Sequence, residues 1–238
     1  MLTDSRRQFL GGVTAGGLVL SACSTARESA MKKEGPGTKK EESDDEVSPA
    51  EDLMREHGVL KRILLIYREG IQRIDTKEDL PPDLLTASAN LIRRFIEDYH
   101  EKLEEDYLFP RFRKAGSLVE LVETLTAQHQ RGRSLTDTIL RLSTAAGLKN
   151  AQDRQKLRDT LHLFVRIYEP HEAREDTVLF PAFRKLVARN EYDALGEGFE
   201  KREHELFGEE GFEKNVEEVA RIEKALGIYD LAQFTPAG

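Results

Sequence analysis

The chain of 238 residues predicts an all-α fold, an antiparallel up-down-up-down four-helix bundle with an additional C-terminal helical segment. Three observations carry that expectation. Apolar residues recur at spacings of three and four along four long stretches, as in helices that bury one face. Runs of Val, Ile and Thr between turn residues, the mark of strands, are scarce. Short connections marked by Pro and Gly return each helix alongside its predecessor.

Ahead of the bundle, residues 1–22 read as an export signal. Ser5-Arg6-Arg7-Gln8-Phe9-Leu10 precedes an uncharged, Gly-rich stretch that ends Leu20-Ser21-Ala22-Cys23. Phe9 to Ala22 is shorter than the roughly 20 apolar residues that span a bilayer. The pattern resembles a twin-arginine signal fused to a lipobox, in which Cys23 becomes the lipidated first residue of the mature protein. A plain signal peptide with an incidental cysteine is the competing reading. The lipobox reading implies an exported protein, periplasmic or in the cell envelope, held to a membrane through its lipid. The twin-arginine route resembles one used for proteins that take up cofactors before export. A single cysteine excludes an intrachain disulfide. Residues 23–48, rich in Lys, Glu, Ser, Gly and Asp, form a charged tether with too little apolar surface to fold.

The bundle is expected over 49–190. Ser48-Pro49 offers an N-cap and a first-turn proline, opening a helix over about 49–72. Its inward face carries Leu53, His57, Leu60, Leu64, Tyr67 and Ile71. Pro81-Pro82 introduces a second helix, about 83–114, with Ile92, Ile96, His100, Leu103, Glu104 and Tyr107 inward. Gly116-Ser117 turns into a third, about 117–145, bearing Val122, Leu125, His129, Thr136 and Ile139, and Gly147 closes it. The fourth, about 151–189, presents Leu157, Leu161, Phe164, Tyr168, His171, Glu175 and Val178. Residues 191–238 form a C-terminal helix, interrupted by Gly196, Gly198, Gly208 and Gly211, and a tail that is extended beyond Gly227.

Each of the four inward stripes carries one histidine: His57, His100, His129 and His171. Two of these open a repeat. Residues 100–114 and 171–185 agree at nine of fifteen positions, including the His, the following Glu, the Glu four places on, Leu-Phe-Pro and Phe-Arg-Lys. Four residues advance a helix by about 400° and roughly 6 Å. His100 therefore stacks over Glu104, and His171 over Glu175, each pair able to close on one metal ion. A buried glutamate needs a cation, and the nearby Arg111, Arg113, Arg174 and Arg184 mostly fall off the inward stripe. A lone core histidine is usually a hydrogen-bonded packing residue, but four on four separate stripes with two in-phase glutamates point to a metal site. Imidazoles with carboxylates and no thiolate suit iron, manganese or zinc. So many ligands exceed one tetrahedral ion and suit a carboxylate-bridged pair, most often di-iron or di-manganese in bundles. His162 faces outward. His204, in Glu203-His204-Glu205, is open between a surface position and a ligand.

His57 in Glu-His-Gly-Val-Leu, the two repeats, and His129 in Ala-Gln-His-Gln together resemble the hemerythrin-like, HHE cation-binding family over about residues 50–190. The resemblance implies an antiparallel four-helix bundle around two non-haem iron ions, manganese or zinc being the lesser choices. It makes His57, His100, His129 and His171 terminal ligands, with Glu104 and Glu175 bridging. An iron-sensing branch also uses the Glu directly after the second-helix His, which nominates Glu101. The oxygen carriers of the family place a further His one turn after the third-helix ligand; here that position is Arg133. Fewer imidazoles and more carboxylate oxygen favour the ferric state, which puts reversible oxygen carriage in doubt.

The remaining motifs have structural readings. Pro110 and Pro181 each remove a helical hydrogen bond and bend or stop their helices, while Leu108, Phe109, Leu179 and Phe180 pack the bundle end. Gly132 leaves room either for a small ligand or for a close helix contact. The net charge of -8 argues against a nucleic-acid partner. The set of ligands lacks a separate catalytic base or nucleophile, so the expectation is a binding protein for oxygen or another diatomic, or a sensor of iron or redox state. The alternative is a di-iron enzyme reducing peroxide or nitric oxide, with an unknown redox partner.

Overall fold

The computed structural model describes residues 47–236, all of whose regular elements are helical. The signal, Cys23 and nearly all of the tether lie outside the described residues. Helix α1 is Pro49–Thr76. Ser48 caps it, its hydroxyl accepting from Glu51 N–H at 3.3 Å, with Pro49 in the first turn. Lys77, in the left-handed region at φ 62°, ends it.

Helix α2 runs continuously over 82–115 and changes winding on the way. An α segment, Pro82–Leu91, leads into π windings at Ile92–His100 and again at Glu104–Leu108, before α geometry resumes at Phe109–Ala115. Gly116, at φ 64°, then reverses the chain. Helix α3 is Val119–Leu142, and a short helix α4, Ala145–Lys149, follows. The sequence places Gly147 as the terminator of the third helix; it lies inside α4 instead. A Cβ there would come 2.3 Å from the Leu142 carbonyl oxygen, so the close return of the chain requires glycine.

Helix α5, over 151–186, repeats the device of α2: α winding at Ala151–Arg174, π at Glu175–Leu179, α again at Phe180–Leu186. The cause is visible in the repeat. A proline ring clashes with the carbonyl four residues back. The turn before Pro110 and before Pro181 opens to five-residue bonds, Phe109 N–H to the Glu104 carbonyl and Phe180 N–H to the Glu175 carbonyl. The prolines therefore follow local widenings of helices that continue through them.

The widened turns correct two inward assignments. Tyr107 is exposed and Val178 half-buried, while Leu108 and Leu179 are fully buried in their place. A π turn takes one more residue than the α spacing assumes, so the stripe resumes one position later.

Helix α5 packs along both α1 and α3, and α2 packs against α1 and α3. The core holds edge-on Tyr67 and Phe164, and the paired rings of Phe112 and Phe183. Helices α6, Arg189–Phe207, and α7, Gly211–Leu226, close over α1 and α2. Val219, Ile222 and Leu226 are buried there, and Arg62 of α1 pairs with Glu223. The break between α6 and α7 falls at Gly208, while Gly196 and Gly198 stay helical. Beyond Gly227 the chain makes a short 3-10 turn, Leu231–Phe234, where an extended tail is expected from sequence. Among the described residues no helix is long and apolar enough to cross a membrane.

Candidate metal centre

His57 and Glu56 come from α1, His100, Glu101, Glu104 and Glu105 from α2, Gln128 and His129 from α3, and His171, Glu175 and Asp176 from α5. The six residues read from the sequence as the main ligands are each no more than 3% exposed. The His57 and His100 rings lie 4.7 Å apart, and those of His129 and His171 4.9 Å apart. Ligand atoms of His57, His100 and Glu104 fall within 4.8 Å of one another, as do those of Glu104, His129, His171 and Glu175. Glu104 is common to both groups. Glu175 also reaches across, with Oε1 3.1 Å from His171 Nε2 and Oε2 3.4 Å from His57 Nε2.

Every imidazole is held the same way. His57 Nδ1–H donates to Asp176 at 2.7 Å, His100 to Glu56 at 2.6 Å, His129 to Glu105 at 3.1 Å and His171 to the Gln128 side-chain oxygen at 2.9 Å. An oxygen acceptor at Nδ1 holds each ring from outside and turns its Nε2 inward. His129 Nε2 and His171 Nε2 then face each other at 3.2 Å. Both oxygens of Glu104, both of Glu175, and His57 Nε2 are buried without a hydrogen-bond partner. Inward ring nitrogens and buried carboxylate oxygens converge at one place, and a metal cation fits this donor set.

Charge tells the same story. Burial and the charge of Glu175 push Glu104 up to about 8. Burial opposes the ionisation of Glu175, yet His171 and His57 hold it well below the usual carboxylate range. Burial also opposes a charge on His57, but Asp176 and Glu175 outweigh it and lift the ring to about 10. The interior thus takes up protons wherever its carboxylates find no other positive charge.

Glu101 is drawn to a different set of partners. Tyr168 Oη donates to its Oε1 at 2.6 Å, and Arg133 meets its Oε2 at 2.8 Å, while an oxygen of Glu101 stays within 4.8 Å of ligand atoms of His129 and Glu105. Arg133 also meets Glu105 at 2.8 Å. Gly132 admits this arrangement: a Cβ would stand 1.9 Å from the Tyr168 oxygen. Its space is filled by a neighbouring ring, which settles the choice between a ligand pocket and a close helix contact. Phe109 stacks on His129 and Phe180 on His57, so the Leu-Phe-Pro repeats pack directly on the imidazoles. His162 is exposed, and His204 lies at the surface, 3.9 Å from Glu200.

The outward acceptors escape a reading of the two repeats alone, though a wider repeat contains them. Glu56-His57 and Gln128-His129 are equivalent dipeptides: the first residue holds the His of the next long helix, His100 of α2 and His171 of α5 respectively. Glu104-Glu105 and Glu175-Asp176 are equivalent too: the second acid holds the His of a facing helix, His129 and His57 respectively.

An all-helical bundle with convergent histidines and orphaned glutamates defines a cation-binding helical protein. The chain belongs to the hemerythrin family, whose model, described as the hemerythrin HHE cation binding domain, matches residues 48–145 and 120–232. An uncharacterized protein of Mycobacterium bovis is 51% identical over 223 residues, covering 94% of this chain and 87% of that one. Uncharacterized proteins from two strains of Mycobacterium tuberculosis show the same identity and coverage. No solved structure matches.

Proposed function

We propose that the chain is an exported, lipid-anchored, non-haem di-iron protein that binds oxygen or another diatomic, or reports iron or redox state. In this reading α1, α2, α3 and α5 form an antiparallel up-down-up-down four-helix bundle. His57, His100, His129 and His171 would hold the iron together with Glu104 and Glu175. The observation that carries it is the set of orphaned oxygens on those two glutamates, inside a ring of imidazoles all fixed with Nε2 inward.

A bound iron pair supplies Lewis acidity and one-electron redox change. The protein supplies the rest. Asp176, Glu56, Glu105 and Gln128 orient the rings, Phe109 and Phe180 exclude water from their faces, and Arg133 neutralises Glu101. That ion pair occupies the position where the oxygen carriers have an imidazole, which favours a sensor over a reversible carrier. Lipidation at Cys23 would tether the domain to the membrane through residues 23–48.

A second reading, a di-iron enzyme that reduces peroxide or nitric oxide, draws on Tyr168, a proton donor bonded to Glu101 beside His129. Iron-loaded protein, given oxygen, nitric oxide or peroxide with an electron donor, separates the two. A stoichiometric spectral change without turnover supports the binding protein, and many turnovers per centre support the enzyme.

A further inference from the structure

Tyr67, Tyr99 and Tyr168 are each no more than 1% exposed, and their hydroxyls differ in what they meet. The Tyr67 hydroxyl is buried without a hydrogen-bond partner. The Tyr99 hydroxyl stands beside Glu56 without the geometry of a hydrogen bond, and His100 already holds Oε2 of that acid at 2.6 Å. Of the three, Tyr168 has an acceptor in place. Its Oη donates to Glu101 Oε1 at 2.6 Å, while Arg133 meets Glu101 Oε2 at 2.8 Å.

Tyr168 also touches the candidate centre. Its ring lies 5.4 Å from that of His171, and an oxygen of its acceptor Glu101 is within 4.8 Å of ligand atoms of His129 and Glu105. On its other side it stacks on Phe164 at 4.4 Å, which meets Tyr67 edge-on at 5.2 Å. Gly132 clears the space that the hydroxyl occupies. A phenol gives up an electron readily only when its proton leaves in the same step, because a buried phenol cation is costly. A carboxylate already bonded to the hydroxyl supplies that exit. Arg133 keeps a partner in Glu105, at 2.8 Å, when Glu101 takes the proton.

We infer that Tyr168 is a redox-active tyrosine, giving an electron to the iron centre while passing its phenolic proton to Glu101. The inference rests on the iron-binding reading and adds an electron source to it. The Tyr168 O–H bond breaks and an O–H bond forms at Glu101 Oε1, leaving a neutral tyrosyl radical. Hydrogen peroxide is the oxidant. Its O–O bond breaks as it takes one electron from iron(II), which becomes iron(III), and one from Tyr168. Two protons from solvent complete two water molecules. Tyr168 thus supplies the odd electron when the centre has a single iron(II) left to give.

The test is paramagnetic resonance on full-length protein loaded with iron(II), assayed for metal, mixed with hydrogen peroxide and frozen. Ring-deuterated tyrosine, which narrows a tyrosyl signal, identifies the radical. The signal, read per bound iron, is expected in the wild type, Tyr67→Phe and Tyr99→Phe, and is expected to be lost in Tyr168→Phe. Glu101→Gln, which keeps the phenol and removes its proton acceptor, should lose it too. No tyrosyl radical from the iron-loaded wild type, a radical that survives in Tyr168→Phe or Glu101→Gln, or one lost instead in Tyr67→Phe or Tyr99→Phe would overturn the inference and leave Tyr168 as a donor that holds Glu101. A wild type that retains no iron would overturn the proposed function and this inference with it, so the two failures are told apart by metal content.

Discussion

At each imidazole of the centre one nitrogen is committed outward and the other inward, and the outward bond decides what the inward lone pair can do. Removing an outward acceptor should loosen metal without unfolding the chain. Asp176→Ala and Glu105→Ala are each expected to weaken iron binding about 10- to 100-fold in chelator competition. An unchanged affinity would mean the rings are oriented by packing alone. Gly132→Ala tests the contact behind His171, since its new methyl group meets the Tyr168 hydroxyl. A loss of about 1–3 kcal/mol in urea unfolding is expected. At this scale the sequence revealed the histidines because each sits on an apolar stripe, where a polar residue is conspicuous. It concealed Glu56, Glu105, Gln128 and Asp176 because each is an ordinary polar neighbour of a buried His or Glu, and only the facing helix shows what it touches.

Among the helices, α2 and α5 share one device: a widened turn that begins at the central glutamate and ends before the Phe-Pro step. It sets Glu104 and Glu175 inward and turns Phe109 and Phe180 onto the rings. Helix boundaries were readable from Ser48, Pro81-Pro82 and Gly116, because caps and breakers act locally. The widened turns were not, since a constant 3.6-residue period carries Tyr107 and Val178 into the core. The short helix α4 and the break at Gly208 likewise depend on where the chain returns in space. Helix α7 holds α1 and α2 from outside through Ile222 and its neighbours. Ile222→Ala should cost about 2–5 kcal/mol in denaturant unfolding while leaving the metal content of the folded protein unchanged. Lost metal at full folding would instead tie α7 to the centre.

Across the whole molecule, metal binding and protonation compete for the same interior. His57 sits at about 10 and Glu104 at about 8 in the metal-free chain, so both carry protons at neutral pH. Loading must expel them, and affinity therefore rises with pH, by about tenfold per unit for each proton displaced, levelling off once those values are passed. Dialysis between pH 6 and 8 with a buffered metal should show tighter binding at the higher pH; a flat profile would mean the ligands are already deprotonated. The all-helical class was legible from periodicity alone. How α6 and α7 close over the bundle was not, because their glycines and charges fit a surface helix and a loop equally well.

The most direct measurement is metal content after anaerobic loading with iron(II) and dialysis against a moderate chelator. About two retained irons per folded chain are expected, with fewer retained by His100→Ala, His171→Ala and Glu104→Gln. Less than about one iron in the wild type, or equal retention in all three variants, would contradict a paired cation centre built from these residues.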